Sequence, residues 1–426
     1  MTTLINDKIK SAAVTQKFPS LRTTAFASID KQGFPTTKNE EWKYTSLDKI
    51  ISASYRDVFA AQHNHIAQQN ISTLPFINNG DVVIVLENGQ FRNDLCDVKN
   101  LPPGISISSL NENENNEIVK AHFNKYVAID KHPLAALNTA LMQDGVFIHI
   151  DKNAVIEKNI YVLHFSSSNG EAVSNYTRLL LVAESGCKAN ISCITLSHSE
   201  TTQSLNNIVT EIVVDENADV TFDFIQNDNL LSNQITNTYA YQKRDSTFCI
   251  NTITFGNKLT RNNLALNLDA ENCEAHMYGL IAGNGEQLMD NHTEVYHAKP
   301  HCNSNQIYKS LMGGKSTGVF NGKIFVLLDA QKTNAYQSSK NILMSNDAVM
   351  YTKPQLEIFA DDVKCSHGTS TGKVDEEALF YLKARGIGDT SARRLLLQAF
   401  AQELIDKIEI ESLQEEVLDL FEGSLK

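Results

Sequence analysis

The chain has 426 residues, 42% of them hydrophobic and 20% charged, with 20 Gly and 8 Pro. Such a composition excludes a collagen, a low-complexity chain and global disorder, and leaves room for one long architecture or two to three domains of roughly 150 residues. A formal charge of −13 argues against nucleic acid or an anionic membrane as the main partner, because either needs a basic face.

The start, Met1-Thr-Thr-Leu-Ile-Asn-Asp-Lys, lacks a basic segment followed by a continuous apolar one, and no apolar run approaches spanning length. The expectation is a cytoplasmic protein without a secretory signal or a membrane span. Seven Cys, at 96, 187, 193, 249, 273, 302 and 365, form no Cys-x-x-Cys pair. Neither a disulfide framework nor a tetrathiolate zinc site is expected, and most of the thiols read as small buried apolar groups.

Residues 1–144 read as a mostly helical region with short strands. Ile5, Ile9, Ala12 and Ala13 give a weak apolar stripe, and Trp42, the only Trp, reads as a packing anchor. Asp81-Val-Val-Ile-Val-Leu-Glu-Asn-Gly predicts a strand running into an Asn-Gly turn. Asn111 to Asn116 is loop-like, and Ile118 to Met142 predicts a helix interrupted at His132-Pro133.

From residue 145 to 372 the segments become short, rich in Val, Ile, Phe and Thr, and bounded by Asn, Asp and Gly. The last apolar residues before the corners are Ile150, Val182, Val214, Tyr241, Leu268, Tyr296, Leu328 and Phe359, spaced by 27 to 32 residues. Tyr241 and Tyr296 are the weakest members. A period near 30 means stacked supersecondary units, and units of strands without helices exclude a helical solenoid or a βα repeat. Propeller blades need about 40 residues. The fold expected is a right-handed parallel β-helix, flanked by N-terminal and C-terminal helical regions, whose end coils leave edges to be covered.

Residues 373–426 return to a helical pattern. Asp375 is the predicted N-cap of a helix ending at Arg385-Gly386. A second helix from about Ser391 carries Leu395, Leu396, Ala399, Phe400, Leu404, Ile405 and Ile408 as its apolar stripe. Ser412-x-x-Glu415 reads as a capping box opening a third. So short a tail must pack on the solenoid, on a partner, or on both.

Four motifs invite chemistry. Leu311-Met-Gly-Gly-Lys-Ser-Thr suggests a phosphate loop, but the first required Gly is Lys309 and strand-like sequence follows, so a Gly-rich corner is expected. His292, His297 and His301 lack the spacing of a zinc helix and read as turn and surface histidines. Asp361-Asp362 could serve acid–base chemistry, although neighbours on a strand face opposite ways. In Val363-Lys-Cys-Ser-His-Gly, Cys365 and His367 lie two apart, on one face of a strand, and a thiolate and an imidazole suit iron or zinc.

That last motif carries a resemblance. Lys353-Pro-Gln-Leu-Glu-Ile-Phe-Ala-Asp-Asp-Val-Lys-Cys-Ser-His-Gly, followed by Leu379-Phe-Tyr-Leu-Lys-Ala-Arg-Gly-Ile, resembles the signature of the SufB/SufD family, scaffolds of the SUF iron–sulfur cluster assembly system. Asn39-Glu-Glu-Trp-Lys-Tyr-Thr-Ser-Leu and Leu137-Asn-Thr-Ala-Leu-Met-Gln-Asp-Gly-Val-Phe are similar to the SufD branch, as is the Cys-Ser-His-Gly form. The resemblance implies a parallel β-helix between helical ends, pairing with a SufB-like paralogue through the β-helix; exposed strands would also let the isolated chain pair with a second copy. It implies that a SufC-like ABC ATPase docks on the helices from about Asp375 to Ile408, with Phe380, Tyr381, Leu382, Arg385 and Gly386 as the contact. It also implies that His367, beside Cys365, is a transient iron or cluster ligand at the SufB interface, that no cofactor is bound stably, and that this subunit is not an enzyme. Two rival readings stand beside it: a β-helical polysaccharide lyase or hydrolase using Asp361 or Asp362, and a plain homodimeric interaction module.

Overall fold

The computed structural model describes residues 4–59, 65–98 and 101–425. From Asp144 onward the chain lays one strand alternately in each of two sheets, through about eight turns. One sheet has ten strands and the other nine. All pairs between turns are parallel and in register, so equivalent residues stack into columns. One column closes the strands of the nine-stranded sheet: Ile150, Ala183, Val214, Gln242, Leu268, His297, Val326 and Ile358.

The expected repeat is therefore present, with a slip at some corners. Inside the coil at Gln242 and His297 the column is polar. Gln242 Nε2 donates to Glu274 O at 2.9 Å, and His297 Nε2 meets Ser304 Oγ at 2.9 Å. The last apolar residue there is the outward neighbour, Tyr241 or Tyr296, and a period of two turns a one-residue slip into the opposite face. At the top corners Leu328 and Phe359 lie beyond the strand ends and are exposed.

Each corner turns through one residue of positive φ: Asn153, Gly186, Asn217, Asp245, Asn272, His301 and Lys332. Its N–H donates to a carbonyl of the next coil, as Asn153 to Ser185 and Asn217 to Arg244. Asn, Asp and Gly tolerate this conformation at low cost, and five of these seven corners use one of them.

Three apolar layers follow. The lumen between the sheets is filled by residues such as Ile148, Leu181, Val220, Leu266 and Val295. The outer face of the nine-stranded sheet carries the N-terminal helices Pro19–Gln32 and Pro133–Leu141. Pro133 does start a helix, as expected, but the preceding helix ends at His122, and Phe123 to His132 is irregular rather than a short interruption. The outer face of the ten-stranded sheet carries the C-terminal helices Asp389–Ile405 and Glu411–Ser424. Four Cys are buried and three half-buried, and all seven are free.

The C-terminal helices differ in detail from expectation. The stripe of Asp389–Ile405 is Ala392, Leu397, Ala401, Leu404 and Ile405, leaving Leu395 and Ala399 exposed. Ser412 does not cap its helix; its Oγ donates to Phe76 O at 2.9 Å, tying the helix to the start of the solenoid. Asp375 does cap Glu376–Ala384, accepting from the N–H of Glu377 and Ala378, and Gly386 follows at φ +89°.

Candidate functional site at the open end of the solenoid

The two ends of the stack are built differently. At the first coil, antiparallel strands close both sheets: Gln90–Phe91 on Val82–Glu87, and Ile105–Ser109 on Asp144–Ile150. At the last coil no short capping strand follows, and the full-length parallel strands Val349–Ile358 and Lys364–Gly372 are themselves the sheet edges. Lys364–Gly372 is exposed along almost its whole length. An edge of unpaired N–H and C=O groups is a template for another strand.

Cys365 and His367 sit on this last strand, opposite Ala335 and Gln337. Ala335 and Gln337 are buried in the stack, so Cys365 and His367 share the lumen-facing side, as the spacing predicts. His367 is exposed because no coil lies above it. Cys365 is half-buried, and burial raises its thiol pKa above the ordinary value.

The column leading to His367 changes character. It runs Val82, Ile160, Ile191, Phe222, Ile250 and Met277, then Gln306, Gln337 and His367. Gln337 Nε2 donates to Gln306 Oε1 at 2.7 Å, while Gln337 Oε1 has no partner among the described residues. Thr369 and Thr371 continue the polar lumen face of the last strand. The sequence signal for this change is the two Gln at repeat positions where earlier coils hold Ile and Met.

The last rung is braced from outside by residues 40–45, which the sequence marked by its SufD-like motif and by Trp42 but not as a brace. Tyr44 stacks on Tyr351 with ring centroids 3.9 Å apart, and Glu40 pairs with Lys353. Glu41 contacts His292 at 3.2 Å, Lys323 at 2.8 Å and Asn321 at 3.0 Å. Thr45 donates to Asp290, and the Arg261 guanidinium lies 4.4 Å from the Trp42 ring. Residues 40–45 thus strap across the last four strands of the nine-stranded sheet. Trp42 is a packing anchor, as expected.

The other sequence candidates are placed as follows. His292 and His297 are strand residues, against expectation: His292 joins the strap, and His297 is fully buried in the lumen. Their strand alternates inward and outward, and the short spacing hid that period. His301 is an exposed corner residue. Gly313 and Gly314 form a corner between strands Asn303–Met312 and Thr317–Val326, as expected. Lys309 is buried on the outer sheet face, donating to Phe400 O at 2.6 Å and pairing with Glu403. Asp361 and Asp362 are exposed in a turn, where Asp362 pairs with Lys332.

Helix Glu376–Ala384 leaves the open end and is anchored by Leu379. Phe380 and Tyr381 are 74% and 57% exposed. Arg385 lies over the Tyr381 ring and donates to its hydroxyl at 3.1 Å. Leu382 is half-buried, and Gly386 is exposed. Among the described residues, no group of three or more His, Cys, Asp or Glu is placed to hold a metal ion, and no helix is long and apolar enough to cross a membrane.

Fold and site together define a parallel β-helix protein with one closed end and one edge competent to pair. Comparison with known proteins gives the family. The family model described as "SUF system FeS cluster assembly, SufBD core domain" matches residues 165–400, and "SufBD protein N-terminal region" matches 5–162. The chain is 31% identical to an iron–sulfur cluster assembly SufBD family protein of Synechocystis, over 89% of this chain and 85% of the relative. It is 30% identical to the iron–sulfur cluster assembly protein SufD of Escherichia coli, over 91% and 88%. SufD of Bacillus subtilis is 28% identical, over 74% and 72%. The chain belongs to the SufB/SufD family and is SufD-like, as its C-terminal motif suggested.

Proposed function

We propose that this protein is a non-catalytic scaffold subunit of the SUF iron–sulfur cluster assembly complex. Its open coil pairs with the β-helix of a SufB-like paralogue, or with a second copy when the chain is alone. The observation that carries this reading is the edge strand Lys364–Gly372, exposed on a stack whose opposite end is closed. The SufD homologues and the family model support the assembly role. In this reading iron or a nascent cluster is cargo, held transiently at the joint. Cys365 and His367 offer two soft or borderline ligands, and the paralogue completes the set.

Helix Glu376–Ala384 is the dock for a SufC-like ATPase. Its exposed Phe380 and Tyr381, with Arg385 beside them, have the composition of an interface anchor. Helix Asp389–Ile405, latched to the sheet through Lys309, would carry strain from the dock into the solenoid. The test is His367→Ala in the complex co-expressed with both partners. We expect an intact complex with cluster content reduced several-fold, read by iron and sulfide analysis and visible absorption. Undiminished cluster in an intact complex would sink the ligand role.

A further inference from the structure

The lumen column beneath His367 ends in a chain of polar side chains with a fixed direction. Gln306 Nε2 donates across the lumen to Thr293 Oγ1, which leaves Gln306 Oε1 for the next rung. Gln337 Nε2 takes it, donating to Gln306 Oε1 at 2.7 Å. All three residues are buried in the stack. An amide whose NH2 group is engaged below turns its oxygen elsewhere. Gln337 Oε1 is accordingly the open end of the chain, an acceptor without a partner among the described residues.

The facing sheet makes room for this amide. Gly322 stands one rung above Thr293 on strand Thr317–Val326, across the lumen from Gln337. A Cβ at Gly322 would come within 2.2 Å of Gln337 Nε2, so a side chain there would push the amide out of place. Buried acceptors are ordinarily satisfied, and one left open at the end of so constrained a chain points to a donor on the next rung.

The next rung is His367, in register with Gln337 and on the same lumen side. One rung is a distance that such side chains already span. Gln337 to Gln306 is one such step, and Asn262 Nδ2 to Asn291 Oδ1, at 2.9 Å, is another. The acceptor needs no opening to solvent, because the imidazole belongs to the column that encloses it. A neutral imidazole carries one N–H and one lone pair, and the hydrogen bond made by the first decides which nitrogen offers the second. Ring nitrogens that bind metal are ordinarily set in this way by an acceptor behind them.

We propose that Gln337 is a positioning residue for His367, its side-chain oxygen accepting from one ring N–H and so fixing which nitrogen is offered to iron or a nascent cluster. This rests on the ligand role proposed above for His367. The test is the tautomer ratio of His367 in the full chain carrying isotope-labelled histidine, read from the ring nitrogen shifts at alkaline pH. Loss of one signal in His367→Ala identifies it. The parent should favour one tautomer about fivefold beyond the free-imidazole mixture. Gln337→Met lacks the acceptor but keeps the shape, and Met277 already fills the same column two rungs below. It should fold, as a circular dichroism melt will show, and return the ratio to that of a free imidazole. Gln337→Glu keeps an acceptor and should keep the bias. In the complex co-expressed with both partners, Gln337→Met should cause roughly half the loss of cluster seen in His367→Ala. A free-imidazole ratio in the parent overturns the proposal whether or not any variant folds. So does a bias that survives Gln337→Met, a bias lost in Gln337→Glu, or a cluster content unmoved by Gln337→Met where His367→Ala lowers it. If His367→Ala itself leaves the cluster undiminished, the ligand role falls, and the tautomer ratio alone decides whether Gln337 holds the ring.

Discussion

The first and last coils are made of the same repeat but finished by opposite means. The first turns its hydrogen bonds inward on short antiparallel strands, and its lumen residues Val146, Ile148 and Ile150 are fully buried. The last leaves two parallel strands paired on one side only, with Thr369, His367 and Cys365 at the open lumen. One end is covered within the single chain, and the other leaves a row of backbone groups exposed. The physical difference is a few residues: antiparallel strands that close at one end, and polar lumen positions in place of Ile and Met at the other.

The sharpest way to break this contrast is a charge at the open lumen. Thr369→Lys should leave the fold of the isolated chain within about 0.5 kcal/mol, because the position is exposed. Buried and unpaired in a joint, the same ammonium should cost about 3–5 kcal/mol, a loss of pairing of a hundredfold or more. Light scattering with and without the paralogue reads it, and pairing as tight as the parent's would refute the edge assignment. The mirror experiment is Ile148→Ala at the closed end, which should cost about 2–5 kcal/mol in a denaturant titration while leaving pairing unchanged.

Between the ends, Asp223 sets a pH dependence. It lies beneath the C-terminal tail, accepting from Ser192 and from Asn251, whose amide also donates to Lys407 O. Burial raises its pKa from 3.8 to about 6. The folded form therefore holds the proton more tightly than the unfolded one. Its stabilising contribution is full below about pH 3.8 and is lost as the pH rises through 6. Asp223→Asn, which mimics the protonated acid, should flatten stability between pH 4 and 6 and gain up to about 3 kcal/mol at pH 7. Pairing at the open end should not follow that change.

Glu41 gives the smallest effect and the opposite sign. The hydrogen bond from His292, with the Lys323 ammonium, holds its carboxyl at about 2 instead of 4.5. Its contribution is present above about pH 4.5 and is lost as the pH falls through 2. The side chain is 40% exposed, so Glu41→Gln should cost only about 0.5–1 kcal/mol. Hydrogen exchange should locate the loss in Leu288–His297 and Thr317–Val326, the strands that Glu41 touches, and a loss spread evenly over the solenoid would refute the strap.

Much of this could be read from the residues alone. The repeat was legible because one corner per coil needs a left-handed residue and an apolar residue precedes it. It blurred where the lumen turns polar, at Gln242 and His297, because hydropathy then points to the outward Tyr. The lumen face of Cys365 and His367 followed from alternation. That the same strand is an edge did not, since an edge is defined by what does not follow it. The strap was hidden because Glu40 and Glu41 find their partners at Lys353 and Lys323, hundreds of positions away. Leu395 and Ala399 look like core on a helical wheel, but the sheet beneath the helix selects the neighbouring stripe through Leu397 and Ala401.

The strap bears on how the chain is made. Tyr44 and Glu40 leave the ribosome about three hundred residues before Tyr351 and Lys353, the groups they hold. The exposed edge is therefore made long after its brace, with only the C-terminal helices still to follow. Every coil laid down before then ends in an open parallel edge until the next one covers it, so the brace can reach Val349–Ile358 only once the last coil is in place.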